Sequence, residues 1–119
     1  MNEFKEYIET KIMELAAESK NLDENYRQDD AVFVKIKANV YDVCKTVFSV
    51  FEKTKKESSL YNDYINKVYE FEKTWSDSAD KAKEFGDAKK LVAEEAKLEA
   101  LADIKAKFIE LWSERNERG

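Results

Sequence analysis

The chain has 119 residues, 43% of them hydrophobic and 13% aromatic, which is enough apolar material for one packed domain over residues 1–119 and excludes a disordered segment. It contains no proline and two glycines, so the frequent turn residues of a sheet protein are missing and long helices are implied. With 26 acidic against 21 basic residues the net charge is −5, which opposes the counterion release behind nonspecific nucleic-acid binding, and the one cysteine, Cys44, cannot close an intrachain disulfide.

A first helix is expected from about Glu3 to Ser19, because Phe4, Ile8, Ile12, Leu15, Ala16 and Ser19 recur at three- and four-residue steps. Glu3, Lys5, Glu6, Glu9 and Lys11 interleave with these apolar positions, unlike the uncharged centre of a signal peptide. No stretch approaches the ~18 apolar residues of a membrane span, so a cytoplasmic protein without membrane contact is expected. The run from Lys20 to Asp30 is rich in Asn and Asp, whose side chains compete for backbone partners, and should break the helix. Asp29 or Asp30 then serves as N-cap for the second helix.

That second helix, about Ala31 to Lys56, places Phe33, Ile36, Val40, Val43, Cys44, Val47, Val50, Phe51 and Thr54 on one side. Lys35, Asp42, Lys45, Ser49 and Lys53 occupy the other. Cys44 reads as a small core residue. Residues 1–24 carry seven acids against three lysines and residues 31–56 six lysines against two acids, so the first two helices suit antiparallel neighbours. The lysines, with Tyr41 and Phe48 among them, form the one basic concentration. It reads as a solvated face that offsets the first helix, and no nucleic-acid partner is expected.

Ser58 or Ser59 opens a third helix with Leu60, Tyr64, Val68 and Phe71 in line, flanked by Tyr61 and Ile65. Thr74 followed by Asp77 resembles a capping box, which predicts a break and a short extra helix from about Asp77 to Glu84. One uninterrupted helix from Leu60 to Phe85 is the competing reading. Tyr61, Tyr64, Tyr69, Trp75 and Trp112 are expected in core or interface positions rather than around a ligand. Gly86 supplies a left-handed C-cap and Asp87 caps the last helix.

The fourth helix, about Ala88 to Arg115, shows a stripe of Leu91, Leu98, Leu101, Ala102, Phe108, Ile109 and Trp112. A narrower line of Ala93, Ala96, Ala100, Ile104 and Leu111 lies on nearly the opposite side. Two apolar faces imply burial from two sides, by the short helix or by another copy of the chain. Small residues there permit close helix approach. The expected fold is all-α: an antiparallel, up-down-up-down four-helix bundle with a short extra helix between helices three and four.

The chain has no histidine, which removes Glu-x-x-His di-iron sites, zincin motifs and His-activated nucleophiles. It also lacks the glycine-rich phosphate loops. Glu94, Glu95, Glu99 and Asp103 form one acidic constellation, and the four-residue spacing of Glu95, Glu99 and Asp103 aligns them on one side of the helix. Oxygen clusters of this kind hold Mg²⁺. Glu94-Glu95-x-x-x-Glu99 resembles the Glu-Glu-x-x-Glu motif of all-α nucleotide pyrophosphohydrolases of the MazG type, with one more intervening residue. That resemblance implies a Mg²⁺-dependent phosphohydrolase as the alternative function. Interleaving with Lys90, Lys97 and Lys107 favours a solvated face instead. Glu94 itself falls inside the apolar stripe, where a rim position or pairing with Lys90 is expected. Trp75-Ser76-Asp77 resembles the Trp-x-Gly turn of secreted helical hairpins, with Asp77 in place of the glycine.

The reading that follows is a non-enzymatic helical protein without cofactor or metal. It would act as adaptor, regulator or inhibitor through a protein partner or a homo-oligomer, with Ala93, Ala96, Ala100, Ile104 and Leu111 as the candidate interface.

Overall fold

Absence of proline and the recurrence of apolar residues at helical spacing produce four long helices: α1 (Asn2–Glu24), α2 (Gln28–Thr54), α3 (Glu57–Glu84) and α4 (Ala88–Arg118). The computed structural model describes the backbone of residues 1–118 and the side chains of residues 1–116, with no strand among them. Ion pairs fix the directions. Lys5–Glu52, Lys45–Glu9 and Lys35–Asp23 run antiparallel between α1 and α2, as the opposite charges of those segments require. Lys105–Glu72 sets α3 against α4, and Lys37–Glu99 joins α2 to α4 in parallel. The α1–α2 and α3–α4 turns therefore share one end of the bundle, here called the turn end.

At the opposite end each helix contributes one aromatic ring to a common core. Phe4 meets Phe48 and Phe108 edge-on, each at 5.1 Å between centroids, and Tyr64 lies 4.7 Å from Phe108. Tyr64 donates its hydroxyl proton to the Cys44 carbonyl at 2.9 Å, satisfying the one polar atom that this cluster buries. Cys44 is fully buried, and burial pushes its thiol up to about 12.

The cross-section is flattened, with extents of 48 × 34 × 23 Å. Helix α4 lies against α2 more extensively than α2 meets α3 or α1 meets α4. The cause is the alanine line. Ala96, Ala100 and Ile104 are buried, and Ala100, at 2% exposure, leaves room for α2 to approach closely. The face expected to be covered by the short helix or by another copy of the chain lies against α2 of the same chain.

Other expectations are corrected in the same way. Helix α3 is continuous, with no separate helix from Asp77 to Glu84. Trp75 stacks on Phe71 one turn earlier at 5.3 Å, and Ala79 and Ala82 carry the buried face onward, so packing overrides the Thr74–Asp77 signal. Helix α1 runs on to Glu24 with Ser19 buried, and Asp29 and Asp30 sit in the first turn of α2 rather than at its cap, Arg27. Lys56, not Ser58 or Ser59, precedes α3. On α2 the buried face is Ala31, Val34, Val40, Tyr41, Cys44 and Phe48, while Val50 of the expected stripe is half exposed. Gly86 adopts φ +67 and the Asp87 carboxylate accepts the Lys90 backbone N–H at 3.1 Å, as expected.

Ala100→Leu should destabilise the fold by about 1–3 kcal/mol, because the added side chain wedges α2 from α4. Ala102→Leu, at an exposed position on the same helix, should stay within about 0.5 kcal/mol. Urea unfolding followed by circular dichroism measures both. Equal effects at the two positions would refute the close α2–α4 contact.

Candidate functional site

Three places on the molecule concentrate polar or exposed apolar groups: a groove along α1, α2 and α4, a buried acid on α4, and the turn end. The groove has a volume of about 340 Å³ and is lined by Lys11, Glu14, Lys37, Tyr41, Glu99 and Asp103, among others. Its floor is a clamp. Asp103 of α4 accepts hydrogen bonds from Tyr7 of α1 at 2.9 Å and from Tyr41 of α2. Burial, then the bond to Asp103 and its charge, pushes the Tyr7 hydroxyl up to about 12 and Tyr41 further in the same direction. Both phenols therefore stay protonated at neutral pH and act as donors, not as bases or nucleophiles. Both Asp103 oxygens already receive hydrogen bonds, so this carboxylate serves to tie three helices together.

The acidic constellation of α4 does not converge. Glu99 reaches across to Lys37 at 3.0 Å, Asp103 is held by the two tyrosines, and Glu95 is exposed. Among the described residues no group of three or more His, Cys, Asp or Glu side chains stands close enough to hold a metal ion. Glu94 is buried at 5% exposure, deeper than a rim position, and pairs with Lys97 at 3.0 Å rather than with Lys90. Its second oxygen has no hydrogen-bond partner, and the only other such buried side-chain atom among the described residues is Ser19 Oγ. Lys97 also lies 5.8 Å from the Trp75 ring centre, which fixes the lysine over α3.

Of the candidate interface line, Ala96, Ala100 and Ile104 are inside the bundle, and Ala93 and Leu111 are half-buried at its edge. The lysines of α2 are distributed rather than pooled. Lys35 and Lys45 reach acids of α1, Lys37 reaches α4, and the expected aromatic companions Tyr41 and Phe48 are in the core. Tyr61 stacks on Phe108 at 5.5 Å and Tyr64 is central, whereas Tyr69 is half exposed under Lys105.

The turn end holds what periodicity did not reveal. Tyr26 is 89% exposed and adopts φ +60, a left-handed backbone that costs an aromatic residue about 1–2 kcal/mol. Phe85, in the other turn, is 79% exposed. Between the first turns of α2 and α4 lies a cleft of about 360 Å³ lined by Asp29, Val32, Phe33, Ala88, Lys89 and Val92, with both valines more than two-fifths exposed. The one available sequence signal was an apolar residue inside each turn segment. No helix among the described residues is long and apolar enough to cross a membrane.

No protein-family model, curated protein or solved structure matches this chain.

Asp103→Ala should lower stability by about 2–3 kcal/mol at pH 7, because it strands two partly buried phenols. The linkage has a definite sign. The folded phenols bind their protons more tightly than unfolded tyrosine, so their stabilisation is complete below about pH 10 and is lost as pH rises through the folded values. Tyr7→Phe should flatten that alkaline loss in urea titrations between pH 7 and 11.5. Separately, Glu94→Leu should raise stability by about 1–3 kcal/mol, since it removes an unsatisfied buried oxygen. A lower urea midpoint for Glu94→Leu would show that the ion pair with Lys97 outweighs the cost of the unpaired oxygen.

Proposed function

We propose that this chain is a small cytoplasmic protein that acts through contact with another protein, as adaptor, regulator or inhibitor, without catalytic turnover. The contact surface is the turn end. The observation that carries this reading is the pairing there of two almost fully exposed aromatics, Tyr26 and Phe85, one of them in a strained backbone conformation. Inside the chain Tyr26 gains no burial in return for that strain. The left-handed backbone itself closes α1, through the Arg27 N–H to the Leu22 carbonyl at 2.8 Å and the Tyr26 N–H to the Asp23 carbonyl at 3.2 Å, as Gly86 closes α3. An exposed aromatic ring at a position that suits glycine supports a contact outside the chain.

Supporting features are chemical. The candidate nucleophiles, the Tyr7 and Tyr41 phenols and the Cys44 thiol, have raised pKa values through burial, and the α4 acids are dispersed among separate partners. Cys44 is a free, buried thiol, which suits a reducing compartment. Exposed aromatic and β-branched side chains beside polar turns resemble the centre-and-rim composition of protein contacts.

A benzophenone amino acid placed at Phe85 should form a photo-adduct with a second polypeptide in the native cytoplasm. The same probe at Ala106, exposed on α4 away from this end, should form none. Tyr26→Gly should stabilise the isolated protein by about 1 kcal/mol and diminish the adduct. Equal labelling at the two positions would defeat the proposal, as would substrate turnover by pure protein that one carboxylate substitution abolishes.

A further inference from the structure

The cleft at the turn end is charged in a self-complementary way. One wall is the first turn of α2, carrying Asp29, and the other is the first turn of α4, carrying Lys89, with Val32, Phe33 and Val92 between them. Acids suit the N-terminus of α2, where they meet the positive end of the helix dipole. Lys89 and Lys90 stand in the first turn of α4, behind the Asp87 cap. The ion pairs of the described residues engage Arg27 with Asp30 and Lys35 with Asp23 nearby, and leave Asp29 and Lys89 on their separate walls. An acid and a base that face each other across a cleft without pairing are both matched when the opposite charge comes from a second molecule.

The geometry points to a second copy of this chain as the occupant of that cleft. A two-fold axis lying in the contact plane and parallel to the cleft exchanges its walls. Each Lys89 then faces Asp29 of the other copy, and the same pair forms twice. The apolar floors meet between these pairs, and the exposed rings of Tyr26 and Phe85 stand on the adjoining turns. The alternative two-fold, perpendicular to the cleft, would oppose like charges and is disfavoured. This inference rests on the turn end being the contact surface and adds the identity of the partner. Five apolar side chains a side make a contact at the small end of specific interfaces, so the dimer should be reversible, with dissociation in roughly the micromolar to hundred-micromolar range.

Sedimentation velocity of the full chain from about 5 to 500 µM tests it. The expected result is a monomer–dimer equilibrium that Val92→Glu weakens at least tenfold, with helicity unchanged. Asp29→Lys and Lys89→Asp should each weaken self-association. The Asp29→Lys/Lys89→Asp double variant should restore it, and the two single variants mixed together should associate although neither does so alone. A monomer at every concentration would overturn the inference, as would failure of the double variant and of the mixture to associate. If Phe85 nevertheless labels a different polypeptide in the cytoplasm, the contact surface stands and only the second copy falls.

Discussion

The close approach of α2 to α4 is the constraint from which the remaining architecture follows. In a square bundle the two diagonal helices stay apart and a central core fills the space. Here Ala96 and Ala100 remove side-chain volume from α4, and α2 moves in until Tyr41 reaches Asp103 and Lys37 reaches Glu99. The outer helices are then displaced to the flanks, which flattens the molecule and opens the α1–α4 groove above Asp103. The Tyr7–Asp103–Tyr41 clamp bridges that opening. Its hydrogen bonds to a charged acceptor replace the apolar contact that α1 and α4 mostly lack.

The four main helices and the turn at Gly86 were legible because they depend on local chemistry. The missing prolines, the Gly86 conformation and the Asp87 cap are properties of short segments, and the structure places them as the residues imply. Opposite charge on the first two segments was equally informative, since Lys45–Glu9 and Lys35–Asp23 join those segments as antiparallel neighbours. Helix rotation was not legible. On α2, Tyr41 and Phe48 lie beside lysines whose apolar stems blur the boundary of the stripe, and only the position of α4 decides that these rings turn inward. On α4 the buried arc spans the ground between the two apolar lines. Ala96, Ala100 and Ile104 belong to one line and Leu101 and Phe108 to the other. A helix central to the bundle buries a wide arc, and width alone does not say whether the covering element is in the same chain.

The break expected at Thr74 shows the opposite weighting. A capping box is worth about 1 kcal/mol, whereas continuing α3 keeps Trp75 stacked on Phe71 and Ala79 and Ala82 packed. Each buried group contributes at a similar scale, so their sum exceeds the local signal. The turn-end residues had no such sum to reveal them. Tyr26 and Phe85 stand alone in their segments, outside any periodic face, and an isolated apolar residue in a turn carries no pattern to read.

Packing is also unequal along the bundle axis, and this bears on what the turn end can do. The aromatic rings of all four helices converge at the end that holds the α2–α3 turn, through edge-on contacts of about 5 Å. Towards the turn end the buried residues become small, Ala31 on α2 and Ala79, Ala82 and Ala96 on α3 and α4. Small side chains contribute less apolar area each, so local opening should cost least there. A surface at that end can adjust to a partner without disturbing the aromatic core, whereas the same exposed rings at the opposite end would compete with Phe4 and Phe108 for the interior. The position of Tyr26 and Phe85 at the ends of α1 and α3 keeps both rings outside the packed stripes. It also separates the surface from the Asp103 clamp, which binds the helices to one another midway along α2.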